Sequence, residues 1–186
     1  MTLANRITLV RFLLVPLFIS SLVYYTPEKD FLRRSAICIF FAAMATDGLD
    51  GYIARSRSQK SSLGVILDPL ADKLLLMSAY IVLAITRTLP ESFRIPPWVA
   101  IIVISRDLFI LFGSAIIYLV TQHLDVKPSV LGKITTFFQM ITVLVVLCGV
   151  PLQLLFFGMT AGFTLLSGLG YFRYGVRLLN GSSHVS

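Results

Sequence analysis

Six mostly apolar stretches, roughly 7–25, 33–54, 65–86, 97–121, 130–148 and 152–176, alternate with short polar links along the chain. Each stretch is close to the ~20 residues that a helix needs to cross the hydrocarbon core of a bilayer. The pattern predicts six membrane-spanning helices. The links fall at 26–32, 55–64, 87–96, 122–129 and 149–151. The last is so tight that the fifth and sixth helices must be antiparallel neighbours. Arg94-Ile-Pro-Pro-Trp98 reads as the entry of the fourth helix, with Pro near the helix start and Trp at head-group level. The first stretch follows a basic start. Arg11 interrupts it and no small-residue cleavage site follows Tyr25, so it reads as a retained helix rather than a cleaved leader.

Composition strengthens this picture. Of 186 residues, 56% are hydrophobic and 13% charged, against about a quarter charged in ordinary soluble domains. The mean hydropathy is +0.86. The expectation is an all-α integral membrane protein, with residues 1–180 forming one six-helix catalytic domain and 181–186 a polar tail. Cys38 and Cys148 both sit in apolar runs and read as buried free thiols. Gly158-Met-Thr-Ala-Gly162 has a small-x-x-x-small spacing, which reads as a helix contact within the chain, with a dimer face as the alternative.

The charge pattern sets an orientation. Six spans put both termini on one side, together with the 55–64 and 122–129 links. That side carries Arg6, Arg55, Arg57, Lys60, Lys127, Lys133, Arg173 and Arg177, eight basic residues. The other carries Lys29, Arg33, Arg34, Arg87 and Arg94, five. The excess places the termini in the cytoplasm. The formal net charge of +7 does not point to nucleic acid, because the basic residues flank apolar segments. It suits anionic lipid head groups and anionic substrates.

Against this apolar background, Asp47, Asp50, Asp68 and Asp72 stand out. Asp47 and Asp50 are three residues apart and Asp68 and Asp72 four apart, so each pair shares a helix face. The link between them turns the chain back, and two helices joined that way can bring four carboxylates to one space. Carboxylates that close repel unless protons or cations intervene. A charge within a membrane helix costs several kcal/mol, so solvated helix ends are the weaker account. Oxygen-only donors suit hard cations such as Mg²⁺ or Mn²⁺, and no His or Cys is near to make a zinc site. The reading is a polar cavity near the cytoplasmic side that holds two divalent cations for phosphoryl-type transfer. Pro69 is read as part of the first turn of the third helix, beginning near Gly64. Lys73 reads as bridging to a neighbouring carboxylate.

Gly51, Ala54 and Gly64 either let backbones pack closely or leave a slot for a nucleotide. Gly51 lies four residues from Asp47, and Arg55 four from Gly51. Arg55 at the membrane edge can meet a phosphate. Three other polar points are Arg11, in the spacing Asn5-x-x-Thr8-x-x-Arg11; Ser105-Arg106-Asp107, mid-helix; and Lys133, near the start of the fifth helix. Arg106 and Asp107 are either a structural pair or, for Arg106 with Lys133 and Arg11, part of a basic pocket for an anionic acceptor. No Ser, Cys or His is placed to form a covalent intermediate, which points to one direct in-line displacement. A cation transporter or channel is the remote alternative. It is disfavoured because the acids gather at one end of the spans.

The run Asp47-x-x-Asp50-Gly51-x-x-Ala54-Arg55, eight residues, then Gly64-x-x-x-Asp68-x-x-x-Asp72 resembles the signature of the CDP-alcohol phosphotransferase (phosphatidyltransferase) family at every fixed position. The resemblance implies a transferase that cleaves a CDP-linked donor such as CDP-diacylglycerol, releases CMP and passes the phosphatidyl group to an acceptor hydroxyl. It further implies two divalent cations held by the four Asp, Asp72 as general base, Arg55 on the donor diphosphate, the cytidine admitted by Gly51, Ala54 and Gly64, and a homodimer. An anionic acceptor argues against choline and ethanolamine. Asn5–Arg11 and Gly132–Thr136 resemble the branch that forms phosphatidylglycerophosphate from glycerol-3-phosphate. Ser105-Arg106-Asp107 and Lys127-Pro-Ser129 resemble the branch that forms cardiolipin from phosphatidylglycerol. Ala4, where the first branch more often has Pro, departs from it. The balance favours glycerol-3-phosphate, in a multi-pass protein of the bacterial cytoplasmic membrane.

Overall fold

A computed structural model describes the backbone over residues 3–57, 62–121 and 130–181, with side chains described for residues 10, 12–46, 73–113 and 130–173. Six α-helices make up the described residues: α1 (Leu3–Val23), α2 (Asp30–Arg57), α3 (Ser62–Ile85), α4 (Pro97–Thr121), α5 (Val130–Cys148) and α6 (Gln153–Gly181), with 3-10 turns at Pro27–Lys29 and Glu91–Phe93. Each overlaps one predicted apolar stretch. The links at 58–61 and 122–129 and the tail beyond Gly181 lie outside the described residues.

Among the described residues, three helical stretches are long and apolar enough to cross a membrane: Glu91–Gly113, Val130–Cys148 and Gln153–Arg173. The described parts of α1 and α3, Phe12–Val23 and Lys73–Ile85, are apolar but shorter. Large apolar side chains such as Leu13, Phe41, Ile101 and Leu154 face outward. Thr135, Gln139, Thr142, Thr160 and Thr164 are fully buried. Apolar outside and polar inside is the arrangement a lipid solvent favours, because hydrocarbon offers polar groups no partner.

Successive helices run up and down. α1 packs on α2 and α3, α4 on α3 and α6, α5 on α6, and α5 also touches α2 and α3. The apolar core lies toward one end. Phe18 and Leu22 of α1 meet Phe40 of α2, Tyr80 and Leu83 of α3, Val99 and Val103 of α4, and Val143 and Leu147 of α5, all fully or almost fully buried. The Phe18 and Phe40 rings pack tilted at 5.7 Å. Ala36, Ala43 and Ala79 are small enough to let the helices approach there.

That end is closed by Arg33. Its Nε pairs with Asp30 Oδ1 at 2.7 Å and its Nη1 donates to Leu147 O at 2.7 Å. The guanidinium lies over the Phe93 ring, 4.4 Å from its centroid. It thereby satisfies a carbonyl left open at the end of α5. The hydrogen bond from Arg33 holds the Asp30 carboxyl below the usual carboxylate range. Beside them, α5 ends in a Schellman motif. Gly149 N–H donates to Val146 O at 3.0 Å and Val150 N–H to Val145 O at 3.1 Å. Gly149 has φ +68°, and a Cβ there would lie 2.5 Å from Phe93 Cε1, so both backbone conformation and space demand glycine.

The α5–α6 seam is polar. Thr142 Oγ1 and Thr160 Oγ1 share a hydrogen bond of 2.7 Å, and Thr135 Oγ1 donates to Phe163 O at 3.1 Å. Tyr80 reaches across from α3 to donate to Gln139 O at 3.2 Å. Such bonds hold helices together where burial from water contributes nothing.

Three expectations need correction. Cys38 and Cys148 are free, but both are exposed on the outer surface; in lipid, an apolar run does not imply the protein interior. Gly158 and Gly162 have nothing within 4 Å of an added Cβ, so among the described residues their stripe packs against no other helix. Thr160, Thr164 and Ser167 form the buried face of α6, two residues out of phase with the glycines. Finally, α3 begins at Ser62, so Pro69 lies beyond its first turn; membrane helices accommodate such a proline when neighbours satisfy the freed carbonyl.

Candidate active site

A second set of polar residues lies at the end of the bundle opposite the apolar core. α2 runs helically through Asp47, Asp50, Gly51, Ala54 and Arg55, and α3 through Gly64, Asp68 and Asp72. Within each helix the paired aspartates therefore stand about one turn apart. α2 and α3 share the neighbours α1 and α5. The side chains of these eight residues, and of Arg11 on α1, lie outside the described residues. Among the described residues no group of three acidic, His or Cys side chains could hold a metal ion. By donor chemistry alone the four aspartates remain the candidate set: oxygen donors only, with four negative charges to balance two divalent cations.

The described part of this end is a buried ionic cluster on α3, α4 and α6. Asp107 has a side chain 1% exposed and uses both oxygens. Oδ2 accepts from Lys73 Nζ at 2.7 Å, and Oδ1 accepts from Arg106 Nη1 at 2.7 Å. Arg106 Nη2 donates to Ser167 Oγ at 2.6 Å. The guanidinium also lies 5.6 Å from the Tyr171 ring centroid. Arg106 Nε is buried and has no hydrogen-bond partner among the described residues. Among the described residues, one carboxylate faces two cations, a formal excess of one positive charge that favours an anion nearby.

The predicted basic residues are thus placed differently. Arg106 is both a structural partner of Asp107 and the owner of a spare buried donor. Lys133 is exposed near the start of α5 and makes no ion pair among the described residues. The expected bridge from Lys73 is present, and its carboxylate belongs to α4. Ser167 was not singled out from the sequence. Its signal is the polar stripe Thr160, Thr164, Ser167 and Tyr171 at helical spacing on an otherwise apolar helix.

A family model described as CDP-alcohol phosphatidyltransferase matches residues 1–166. A protein of Aquifex aeolicus called CDP-diacylglycerol–glycerol-3-phosphate 3-phosphatidyltransferase is 33% identical over 144 residues, covering 77% of this chain and 74% of its own. A Bacillus subtilis protein of the same name is 32% identical over 189 residues, covering 91% of this chain and 93% of its own. A rat protein called cardiolipin synthase (CMP-forming) is 32% identical over 200 residues, covering 94% of this chain and 61% of its own.

Proposed function

The chain belongs to the CDP-alcohol phosphatidyltransferase family, and we propose that it transfers the phosphatidyl group of CDP-diacylglycerol to a hydroxyl of glycerol-3-phosphate, giving phosphatidylglycerophosphate and CMP. The observation that carries this reading is the nearly end-to-end match to the Bacillus protein of that name, 91% of one chain against 93% of the other. The residue pattern around the four aspartates supports the reaction. The basic cluster at the same end of the bundle supports an anionic acceptor.

In this reading Asp47, Asp50, Asp68 and Asp72 would hold two divalent cations, Mg²⁺ or Mn²⁺. When bound, these neutralise the diphosphate and stabilise CMP as leaving group. Arg55 meets the donor diphosphate, and Gly51, Ala54 and Gly64 leave space for the cytidine. Asp72 takes the proton from the acceptor hydroxyl. The acceptor oxygen then forms its bond to the phosphorus that carries the diacylglycerol as the bond from that phosphorus to the CMP oxygen breaks. Arg11, Arg106 and Lys133 bind the acceptor phosphate. Nη1 and Nη2 of Arg106 each give one N–H to Asp107 and Ser167, which leaves its Nε–H among the donors that can meet the acceptor.

The surroundings follow. Residues 1–180 form one six-span domain and 181–186 a tail, in the bacterial cytoplasmic membrane with both termini and the site on the cytoplasmic face. The chain works as a homodimer, as the family resemblance implies. A second reading, cardiolipin synthesis from phosphatidylglycerol, is favoured by Ser105-Arg106-Asp107 and by the rat relative.

The test is transfer in detergent with Mg²⁺ and CDP-diacylglycerol, offering labelled glycerol-3-phosphate and labelled phosphatidylglycerol separately. Label is expected to enter phosphatidylglycerophosphate, with one CMP released per acceptor consumed. Label entering only cardiolipin would move the chain to the second reading. A folded protein that releases no CMP with either acceptor would reject the transferase.

A further inference from the structure

Asp107 does more than neutralise its sequence neighbour. One buried carboxylate joins Lys73, the residue after Asp72 on α3, to Arg106 on α4, and Arg106 continues to Ser167 on α6. We propose that Asp107 is a positioning residue, fixing the separation between the start of α3, which carries Asp68 and Asp72, and the acceptor-binding Arg106. The proposal rests on the transferase reading above.

Three observations carry it. First, α3 and α4 are already joined at the far end of the bundle. Leu83, Leu89, Ile95 and Val99 are buried there, and Ile95 N–H donates to Leu83 O at 3.1 Å. Second, a buried ion pair adds little stability over an apolar pair of similar size, because desolvation offsets the attraction. What it adds is register: the 2.7 Å bond from Lys73 crosses from α3 to α4, and the 2.7 Å bond from Arg106 holds the receiving carboxylate in place within α4. Third, two of the three guanidinium nitrogens of Arg106 are bound, so its plane is fixed and its Nε–H has one direction. A displacement of ~1 Å between reacting groups can lower a rate about a hundredfold. A brace between the donor and acceptor sides therefore matters for turnover out of proportion to its effect on folding.

The experiment compares the full chain with Asp107→Asn, Lys73→Met and Lys73→Arg in detergent. It measures kcat, the KM for each substrate and thermal unfolding. Asp107→Asn is expected to raise the acceptor KM about tenfold and lower kcat about a hundredfold, with the donor KM within about twofold of native. Lys73→Met keeps Arg106 paired but frees α3, and is expected to lower kcat about tenfold with both KM values within about twofold. Lys73→Arg, which can rebuild the bridge, is expected to restore at least about half of kcat.

Variants with native constants would overturn the proposal. So would a loss that tracks the unfolded fraction alone, with native kcat and KM in the protein that stays folded. Should Asp107→Asn fail to fold, Lys73→Met, at a partly exposed side chain, decides the matter by the same criteria. A native chain that releases no CMP would bring down the transferase reading and this proposal together. Active native protein with unaffected variants would remove only the brace.

Discussion

Asp72→Asn is expected to abolish phosphatidyl transfer while leaving the helical fold in place. The substitution keeps the side chain's size, so α3 loses no packing. In the proposed mechanism it removes the oxygen that takes the acceptor proton and one charge of the cation-binding set. Loss of a general base alone lowers rates by roughly 10²–10⁴-fold, and a weakened cation site adds to this. The check is CMP release at saturating CDP-diacylglycerol and glycerol-3-phosphate, with thermal unfolding followed alongside. An Asp72→Asn protein with native kcat would remove this residue as the base. One that unfolds at a much lower temperature would make its role structural.

Removal of divalent cations is expected to have an effect of similar size. Four aspartates within 26 residues carry more negative charge than a membrane-edge site tolerates without counter-ions. Dialysis against a chelator should stop CMP release, and added Mg²⁺ or Mn²⁺ should restore it. Binding should also be visible without turnover. A cation that binds only the folded chain stabilises it by about 2.7 kcal/mol at a hundred times its Kd. The unfolding temperature should therefore rise with Mn²⁺, and Asp47→Ala or Asp68→Ala should blunt the rise. Full activity in chelator, or unfolding indifferent to Mn²⁺ in the native chain, would speak against the site.

The helices were legible because a bilayer imposes one length and one polarity on whatever crosses it. Pro97 opens α4, Trp98 sits exposed beside it, and Gly149 with Pro151 turns α5 into α6. Spacing gave the faces of the helices but not their neighbours. Lys73 and Asp107 are 34 residues apart, and only the packing of α3 on α4 makes them partners. Gly158 and Gly162 share a face, yet the buried face of α6 is the one with Thr160 and Thr164. Cys38 and Cys148 show the same limit: in lipid, hydrophobicity no longer separates inside from outside. The reaction was legible in the motif because its carboxylates serve no apolar core. The acceptor was less so, because the basic residues that would choose it come from three separate helices.

Anomalous diffraction from crystals grown with Mn²⁺ and a CDP-linked ligand tests the central claim most directly. The expected map shows two peaks about 3.5–4 Å apart, ringed by oxygens of Asp47, Asp50, Asp68 and Asp72 and touching the diphosphate. A map with the four carboxylates too far apart to share any ion, or with the manganese bound elsewhere, would contradict it.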